Sequence, residues 1–291
     1  MNFIKYRLIS FILSVFLVSA SIYGLIRFGL VLGVDFVGGS LVEVSFEQEE
    51  DLSNLRKELG DAGLAVVQVQ ETGAESLLVR LEGGWEERDR AVSFFEERGL
   101  VVSRLETVGP TFGQELFRKA LLAIALTVIL VLLYIAWRFK DIDLGLAAAL
   151  AMIHDNLILL GSFAFLGRFL GAPVDSLFVT AALTTLATSV YDAVVTFGYM
   201  KDQLKQSFTQ EAEIEKVANE GINATVVRNI NNSWTIIFML VAILLLGGET
   251  VRWFATALLI GITLGTYSST FLVVPLLVVW RKWKLRRKQR G

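Results

Sequence analysis

Polar and ionisable side chains inside apolar stretches are the residues of this chain best suited to do chemistry. Asp192 is accompanied by Thr184, Thr188 and Thr196 at intervals of four, which predicts one polar helix face. An ionisable group in hydrocarbon costs several kcal/mol unless it is paired or hydrated. Two interpretations stay open: a packing seam whose hydroxyls bond to backbone carbonyls, and a carboxylate that gains and loses a proton.

A second polar face contains a candidate counter-charge. Arg228, Asn231, Asn232 and Thr235 follow the i, i+3, i+4, i+7 spacing of one helical face. A guanidinium stays protonated, so Arg228 is suited to stabilise an ionised Asp192 without titrating itself. The alternative places Arg228 at the cytoplasmic interface, where it reaches headgroups or binds phosphate.

His154 and Asp155 form a third polar group in an apolar run. Neighbouring side chains project about 100° apart on a helix, so we do not expect both to face one partner. Asp155 is the candidate for the core. His154 is either a satisfied polar contact or a proton relay.

Enzyme chemistry is not expected from this composition. The chain has one histidine and no cysteine, and neither a phosphate-binding loop nor a G-x-S-x-G elbow occurs. We therefore predict no catalytic residues, no metal site, no cofactor and no nucleic-acid partner. Without cysteine, stability comes from packing and not from disulfides.

The apolar runs that must position these residues predict a membrane protein. Hydrophobic residues make up 54% of the chain and charged residues 19%, and the excess is concentrated in runs of about 20 residues. We predict six transmembrane helices, over 8–32, 116–137, 144–166, 173–200, 231–246 and 254–280. The first run, with small residues at 19–21, also resembles a signal peptide, but its length favours an uncleaved anchor.

Basic residues near the ends of these runs predict the orientation. They follow the second and fourth runs, precede the first and close the chain in KWKLRRKQR, all on one side. We expect both termini in the cytoplasm of a bacterial cytoplasmic (inner) membrane protein, with 33–115 outside. The basic tail, 281–291, is expected to fix topology and to touch anionic membrane lipid.

The segment between the first two runs predicts a small soluble domain. Residues 33–116 hold 18 acidic and 7 basic residues, a net charge of −11. Strand patterns at 40–46, 65–70, 76–81 and 101–107 alternate with helical patterns at 52–62 and 85–98, with a turn at Thr72 and Gly73. The order βαββαβ predicts a ferredoxin-like α+β domain. Its acidic surface is either simply solvated or meets a basic partner.

Two further segments belong to the 116–280 bundle. Gly261 and Gly265 form a small-xxx-small face, which predicts close helix packing. Residues 201–222 predict a polar helix along the cytoplasmic surface, anchored by Ile214, Val217 and Ile222.

Several strings, taken in order, resemble the SecF proteins of the SecD/SecF family, within the resistance-nodulation-division superfamily. They are GVDFVGGS (33–40), VGPTFGQEL (108–116), HDNLILLG (154–161), NATVVRNINNS (223–233) and GITLGTYSSTF (261–271). Together they cover nearly the whole chain. The first two flank the soluble domain and give its junction residues: Asp35, Gly38, Gly39, Gly109, Pro110 and Gly113.

The resemblance implies an accessory subunit of bacterial protein export. Its implied partners are a SecD-like subunit, the Sec translocation channel and unfolded preprotein at the outer face, with the proton gradient as energy source. Asp192 and Arg228 occupy the family's span-four aspartate and span-five arginine positions. Where the family reads close to SINDTVVVFDRIRE, this chain has SVYDAVVTFGYMKD, so its departures are Tyr191, Ala193, Gly198 and Tyr199.

Two other functions stay open at this point. The chain is alternatively a small-molecule exporter subunit of the same superfamily, or a passive scaffold whose buried polar groups are structural. Proton-coupled movement of the outer domain against an emerging polypeptide is the hypothesis we favour.

Overall fold

The computed structural model describes residues 2–45, 52–71, 76–204 and 211–290. Within them the helices are α1 (Arg7–Phe28), α2 (Val34–Val37), α3 (Leu52–Asp61), α4 (Trp85–Glu97), α5 (Pro110–Phe139), α6 (Ile142–Leu170), α7 (Ser176–Leu204), α8 (Glu211–Leu246), α9 (Glu249–Phe271) and α10 (Val273–Arg290). The strands are β1 (Gly39–Ser45), β2 (Val66–Glu71), β3 (Ser76–Leu81) and β4 (Val101–Val108). Phe46, the predicted turn at Thr72 and Gly73, and residues 205–210 of the predicted polar helix lie outside the described residues.

Six candidate membrane spans are found among the described residues, and the predicted fold class is confirmed. Each is long and apolar enough to cross a bilayer, which needs about 20 residues of helix. The candidate spans are Ile4–Phe28, Pro110–Phe139, Ile142–Leu170, Ser176–Met200, Glu211–Leu246 and Val251–Arg287. The last contains both α9 and α10. Pro275 lies just after their junction, and a proline cannot donate the backbone hydrogen bond that would continue one regular helix across it.

One compact unit, which we call the sheet unit, consists of Val31–Leu122 and Phe169–Val179. Its sheet has the strand order β2-β3-β1-β4, and every neighbouring pair is antiparallel. This is the order expected of a ferredoxin-like βαββαβ domain. Alternate side chains of β1 and β3 face the helices, so Val42 and Val79 are buried opposite each other.

The core of the sheet unit lies between the sheet and helices α3 and α4. Leu55 and Leu59 of α3 and Phe95 of α4 are almost fully buried against the strands. This apolar layer accounts for a stable domain without disulfides, since each buried large side chain contributes about 1.5–3 kcal/mol.

The second compact unit, the bundle unit, consists of Met1–Leu30, Ala123–Arg168 and Thr180–Gly291. A large apolar cluster joins its helices, with Phe197 and Met200 from α7, Ile222 from α8, and Val274 and Leu277 from α10. Phe139 of α5 packs edge-on against Phe197, with ring centroids 6.0 Å apart.

The prediction of a separate surface helix over 201–222 is wrong for the described part of that range. Helix α7 continues to Leu204, and α8 runs unbroken from Glu211 to Leu246. Ile214, Val217 and Ile222 do anchor this stretch, but they do so in the apolar cluster of the bundle unit. No proline interrupts 211–246, so the polar turns extend the apolar helix instead of forming another one.

The basic segment predicted as a tail is part of α10 and makes ion pairs within the chain. Lys282 Nζ lies 2.6 Å from Glu215 Oε1, and Arg7 lies 2.5 Å from the same oxygen. Arg281 pairs with Asp141 at the turn between α5 and α6. These contacts connect α10 to α8 and to the turn between α5 and α6, and Arg7 of α1 shares the Glu215 carboxylate. Contact of this segment with anionic lipid stays a prediction.

Candidate functional site

A buried carboxylate, Asp155 on α6, connects three helices of the bundle unit. Its Oδ2 accepts hydrogen bonds from Ser189 Oγ of α7 at 3.1 Å and from Ser268 Oγ of α9 at 2.5 Å. Its Oδ1 lies 2.9 Å from His154 Nδ1. Asp155 is 7% exposed, so these bonds take the place of water.

His154 and Asp155 contact each other, which the sequence did not predict. Neighbouring side chains leave a helix in directions about 100° apart, yet the His154 ring and the Asp155 carboxylate are close enough to contact each other. Nε2 of His154 is buried and has no hydrogen-bond partner among the described residues. Asp155 is therefore a hub of hydrogen bonds between α6, α7 and α9, and His154 is its contact on α6.

Asp192 on α7 has very different surroundings. It is 4% exposed, and its Oδ1 is buried without a hydrogen-bond partner among the described residues. Thr196 donates to the backbone carbonyl of Asp192 at 3.0 Å and not to its carboxylate. The bundle unit thus holds one carboxylate that is surrounded by donors and one that is not.

Arg228 lies beside Asp192 without a direct bond to it in the described contacts. Its guanidinium donates to Asn229 Oδ1 at 2.9 Å and lies 5.7 Å from the ring centre of Tyr191. It is close enough for its charge to act on the Asp192 carboxylate. The predicted counter-charge is therefore near, but Tyr191 and Asn229 take its direct contacts.

The polar face predicted on α7 is only partly the face that is buried. Thr184 is exposed and donates to a backbone carbonyl, and Thr188 also bonds to a carbonyl of its own helix. The buried polar positions are Thr185, Ser189, Asp192 and Thr196. A spacing of four residues turns about 40° beyond each full turn, so a line of such positions drifts off one face.

Helix α8 likewise divides its polar residues between two faces. Thr225 is buried and its hydroxyl lies 2.9 Å from that of Thr196. Ser233 is buried and accepts a bond from Thr266 of α9 at 2.5 Å. The predicted residues of this helix are exposed on the surface of the single chain: Arg228, Asn231, Asn232 and Thr235.

Two glycines of α9 face α7 at the level of these polar residues. A Cβ added to Gly261 would lie 2.4 Å from Thr185 Cγ2, a separation that real Cβ atoms do not adopt. A Cβ on Gly265 would lie 3.1 Å from Ser189 Cβ. The absence of side chains at both positions lets Ser268 approach Asp155.

The predicted junction residues lie in the sheet unit, around the start of α7. Asp35 Oδ2 accepts hydrogen bonds from the backbone N–H of Ser176, at 2.9 Å, and from its hydroxyl. Gly38 and Gly39 have φ of 79° and 116°, values that favour glycine. A Cβ on Gly113 would lie 2.9 Å from the carbonyl oxygen of Phe36.

Pro110 is the first residue of α5 and lies beside Gly38 of the Gly38-Gly39 pair. Its Cα lies 2.7 Å from where a Cβ on Gly38 would be, whereas a Cβ on Gly109 would meet open space. Gly109 contributes instead through its carbonyl, which accepts from Gly113 N–H at 3.0 Å. The junction is thus a close packing of backbone segments.

Comparison with known proteins identifies the family. The family description "protein export membrane protein SecD/SecF, C-terminal" matches residues 93–283, and the "SecD/SecF GG motif" matches residues 23–50. This chain belongs to the SecD/SecF family. The similarity that the sequence strings predicted is thereby confirmed.

Relatives of this SecD/SecF protein match over almost their full length. It is 33% identical to the protein translocase subunit SecF of Thermobaculum terrenum over 96% of this chain and 93% of that protein. It is 34% identical to the SecF of Anaerolinea thermophila over 98% of this chain and 96% of that protein. Both comparisons cover all six candidate spans and the sheet unit together.

Solved structures of SecDF resemble this SecD/SecF chain in fold. The crystal structure of SecDF from Thermus thermophilus, a translocon-associated membrane protein, matches with a TM-score of 0.85 and 29% identity over 97% of this chain. SecDF in a super-membrane-facing form matches with a TM-score of 0.70 and 30% identity over the whole chain. The chain spans only 39% and 40% of those two SecDF chains.

Several residues of the site were not singled out from the sequence. Ser268 holds Asp155, and Arg80, Asp175 and Ser176 surround the junction. The serines carry no distinguishing spacing. Arg80, by contrast, is the one charge in the apolar strand 76–81, which was a usable signal. Among the described residues no group of three or more acidic or histidine side chains could hold a metal ion.

Proposed function

We propose that this protein is a SecF subunit of the Sec protein-export machinery that uses the proton gradient to promote a late stage of preprotein export. Support for the subunit comes from family membership and from full-length relatives that are named protein translocase subunit SecF. Support for proton coupling comes from the buried polar groups of the bundle unit. We place the protein in the bacterial cytoplasmic membrane, with both termini in the cytoplasm and the sheet unit outside.

The observation that carries proton coupling is the buried Oδ1 of Asp192, which has no hydrogen-bond partner among the described residues. A buried ionised carboxylate without donors is costly, whereas its protonated form is neutral. Asp155, by comparison, already accepts bonds from two hydroxyls and contacts an imidazole. A carboxylate held by donors has little to gain from a proton. Asp192 is therefore the proton-exchanging group in this proposal, and Asp155 is the hub that holds the helices around it.

Arg228 supplies the opposing charge. When Asp192 loses its proton, the nearby guanidinium lowers the cost of the carboxylate charge, and when Asp192 gains one, Arg228 keeps its bond to Asn229. A membrane potential contributes about 2.3 kcal/mol per charge per 100 mV. Each pH unit across the membrane adds about 1.4 kcal/mol. Together these energies are large enough to shift a helix-packing equilibrium of a few kcal/mol.

A SecD-like subunit is the partner that this arrangement requires. Tyr191 of α7 is 57% exposed on the single chain, and Arg228, Asn231 and Thr235 of α8 are also exposed. These polar groups lie on candidate membrane spans, where hydrocarbon is a poor neighbour. A second polar-faced bundle would cover them. This fits the fact that the chain spans 39% of a SecDF chain, which leaves room there for another component.

Preprotein export into membrane vesicles with an imposed proton gradient tests the proposal. The variant Asp192→Asn keeps the shape of the side chain and removes its charge. We expect it to lose the gradient-stimulated part of export while basal export continues. The control is Thr184→Val, an exposed position on the same helix, which should export like wild type. Full stimulation in Asp192→Asn would leave only a passive scaffold role.

Partner assignment is tested separately. A cysteine at Thr235, in a chain that has no cysteine of its own, should cross-link to a co-expressed SecD-like subunit. A cysteine at the buried position Ser233 should not. Cross-linking at neither position, with both proteins present in the membrane, would contradict the proposed interface.

A further inference from the structure

A buried arginine on β3 of the sheet unit is not explained by the core of that unit. Leu77, Val79 and Leu81 point from β3 into the apolar core, so Arg80, between them, points to the opposite face of the sheet. Arg80 is nonetheless only 8% exposed. An arginine remains charged when buried and is rarely buried without partners.

Arg80 bonds to a backbone carbonyl, and the charges of two carboxylates act on it. Its guanidinium donates to the carbonyl oxygen of Leu32. Burial lowers the pKa of Arg80 from its ordinary value, and the charges of Asp175 and Asp35 act in the opposite direction. The two carboxylates thus stabilise the charge that burial disfavours.

The same two carboxylates hold the first turn of α7. Asp35 Oδ2 accepts from the N–H of Ser176, and Asp175 Oδ1 accepts from the N–H of Phe178 at 2.8 Å. Side-chain oxygens commonly accept hydrogen bonds from the first N–H groups of a helix, and both carboxylates do so here. Arg80 therefore bonds to Leu32, in the segment that borders the start of α7, and carries a charge opposite to those of the two carboxylates that cap this helix.

Backbone contacts reinforce this connection. Gly33 N–H donates to the carbonyl of Val174 at 2.8 Å, and Val174 N–H donates to the carbonyl of Val31 at 2.7 Å. Leu32 and Val174 form a parallel β-bridge. A Cβ on Gly33 would lie 2.7 Å from the Cβ of Asp175, so the two segments are in close contact.

We propose that Arg80 is a positioning residue that, through its bond to Leu32 and its charge opposite Asp35 and Asp175, fixes the first turn of α7 to the sheet domain. The inference rests on the proposed function in one respect, because α7 runs unbroken from Ser176 to Leu204 and carries Asp192. A helix held in this way at its first turn passes its displacement on to the sheet domain. In this proposal Arg80 itself neither exchanges the coupling proton nor contacts the preprotein.

Hydrogen exchange of the full-length protein in lipid nanodiscs tests the attachment directly. In Arg80→Met we expect the amides of 31–37 and 174–179 to exchange about tenfold faster than in wild type, since a buried charge cluster has been broken. Arg80→Lys should be intermediate. The matched control is Arg104→Met, which removes a more exposed arginine of β4 that pairs with Glu106. Unchanged exchange in Arg80→Met would overturn the proposal.

Protection of β1 and β3 amides shows whether each variant has kept the fold of the sheet domain. If Arg80→Met loses that protection, Asp175→Asn is used instead, because it removes one charge opposite Arg80 and leaves the sheet side chains unaltered. The same acceleration at 31–37 is expected. Normal exchange there would be equally decisive against the proposal.

A disulfide distinguishes positioning from any other role of the arginine. Leu32→Cys with Val174→Cys places two thiols across the β-bridge between these segments. We expect Arg80→Met to lose gradient-stimulated export. In that background the oxidised pair should restore it, and dithiothreitol should abolish it again. A disulfide that forms without restoring export would refute a positioning role. If Asp192→Asn exports normally, the proposed function fails, while the exchange experiment still decides the role of Arg80.

Discussion

Removal of the carboxylate should have opposite consequences for stability at Asp155 and at Asp192. Asp155→Ala leaves the hydroxyls of Ser189 and Ser268 and the imidazole of His154 without their common acceptor. Asp192→Ala removes a carboxylate whose buried Oδ1 has no partner among the described residues. Both substitutions delete the same atoms from buried helix positions, so each serves as the control for the other.

The expected size of the effect follows from the number of hydrogen bonds. Interhelical hydrogen bonds in membranes average roughly 0.6 kcal/mol, and bonds to charged groups in soluble proteins contribute at least about 1.5 kcal/mol. Three contacts at Asp155 therefore predict a loss of about 2–4.5 kcal/mol in the free energy of unfolding. Asp192→Ala is expected to change it by less than about 1 kcal/mol, or to raise it, because an unpartnered buried charge is removed.

Unfolding by sodium dodecyl sulfate in mixed micelles, followed by tryptophan fluorescence, measures both free energies. The chain has six tryptophans, and all except Trp85 belong to the bundle unit. Equal losses in the two variants, or a larger loss at Asp192, would refute the distinction between a hub and a proton-exchanging group. Circular dichroism of each variant before unfolding verifies that the helices have formed.

Two other predictions concern the packing and ion pairs of the bundle unit. A Cβ on Gly161 would lie 2.4 Å from a backbone carbon of α1, so Gly161→Val should destabilise the bundle by about 1–3 kcal/mol. The control is Gly198→Val, which should not destabilise it, because a side chain at Gly198 would face open space. Thermal unfolding of the purified variants measures the difference. Arg281 and Asp141 are mostly buried, so a double-mutant cycle with Arg281→Gln and Asp141→Asn should show a coupling of at least about 0.5 kcal/mol. The exposed ion pair of Glu115 with Lys119 on α5 should show no measurable coupling free energy. Equal coupling in both cycles would contradict the importance of burial.

Much of the fold was predictable because it depends on patterns that the chain repeats. Runs of about 20 apolar residues have one stable solution in a bilayer, a helix, and all six are among the candidate spans. The alternation of apolar residues in 40–46 and 76–81 likewise predicted two central strands of the sheet. The separate polar helix predicted before Asn231 was wrong, because α8 is continuous over Glu211–Leu246. Composition shows where a helix leaves the hydrocarbon, but it does not show where the helix itself ends.

The candidate site was less predictable, because its contacts depend on rotation and on partners distant in the sequence. Asp192 was identified as an ionisable group in an apolar run, but the buried line through Ser189 depends on a helical drift that spacing by four conceals. Ser268 joins Asp155 across 113 residues. Arg80 joins the start of α7 only after the sheet has formed, so its partners could not be read from its neighbours in the chain.

The most direct test of proton coupling is to measure protonation of the Asp192 carboxyl group by infrared difference spectroscopy of the protein in proteoliposomes. A pH step should produce a carbonyl band of a protonated, non-hydrogen-bonded carboxylic acid in wild type. The band should be missing in Asp192→Asn and retained in Asp155→Asn. Persistence of the band in Asp192→Asn would contradict the assignment of Asp192 as the proton-exchanging group.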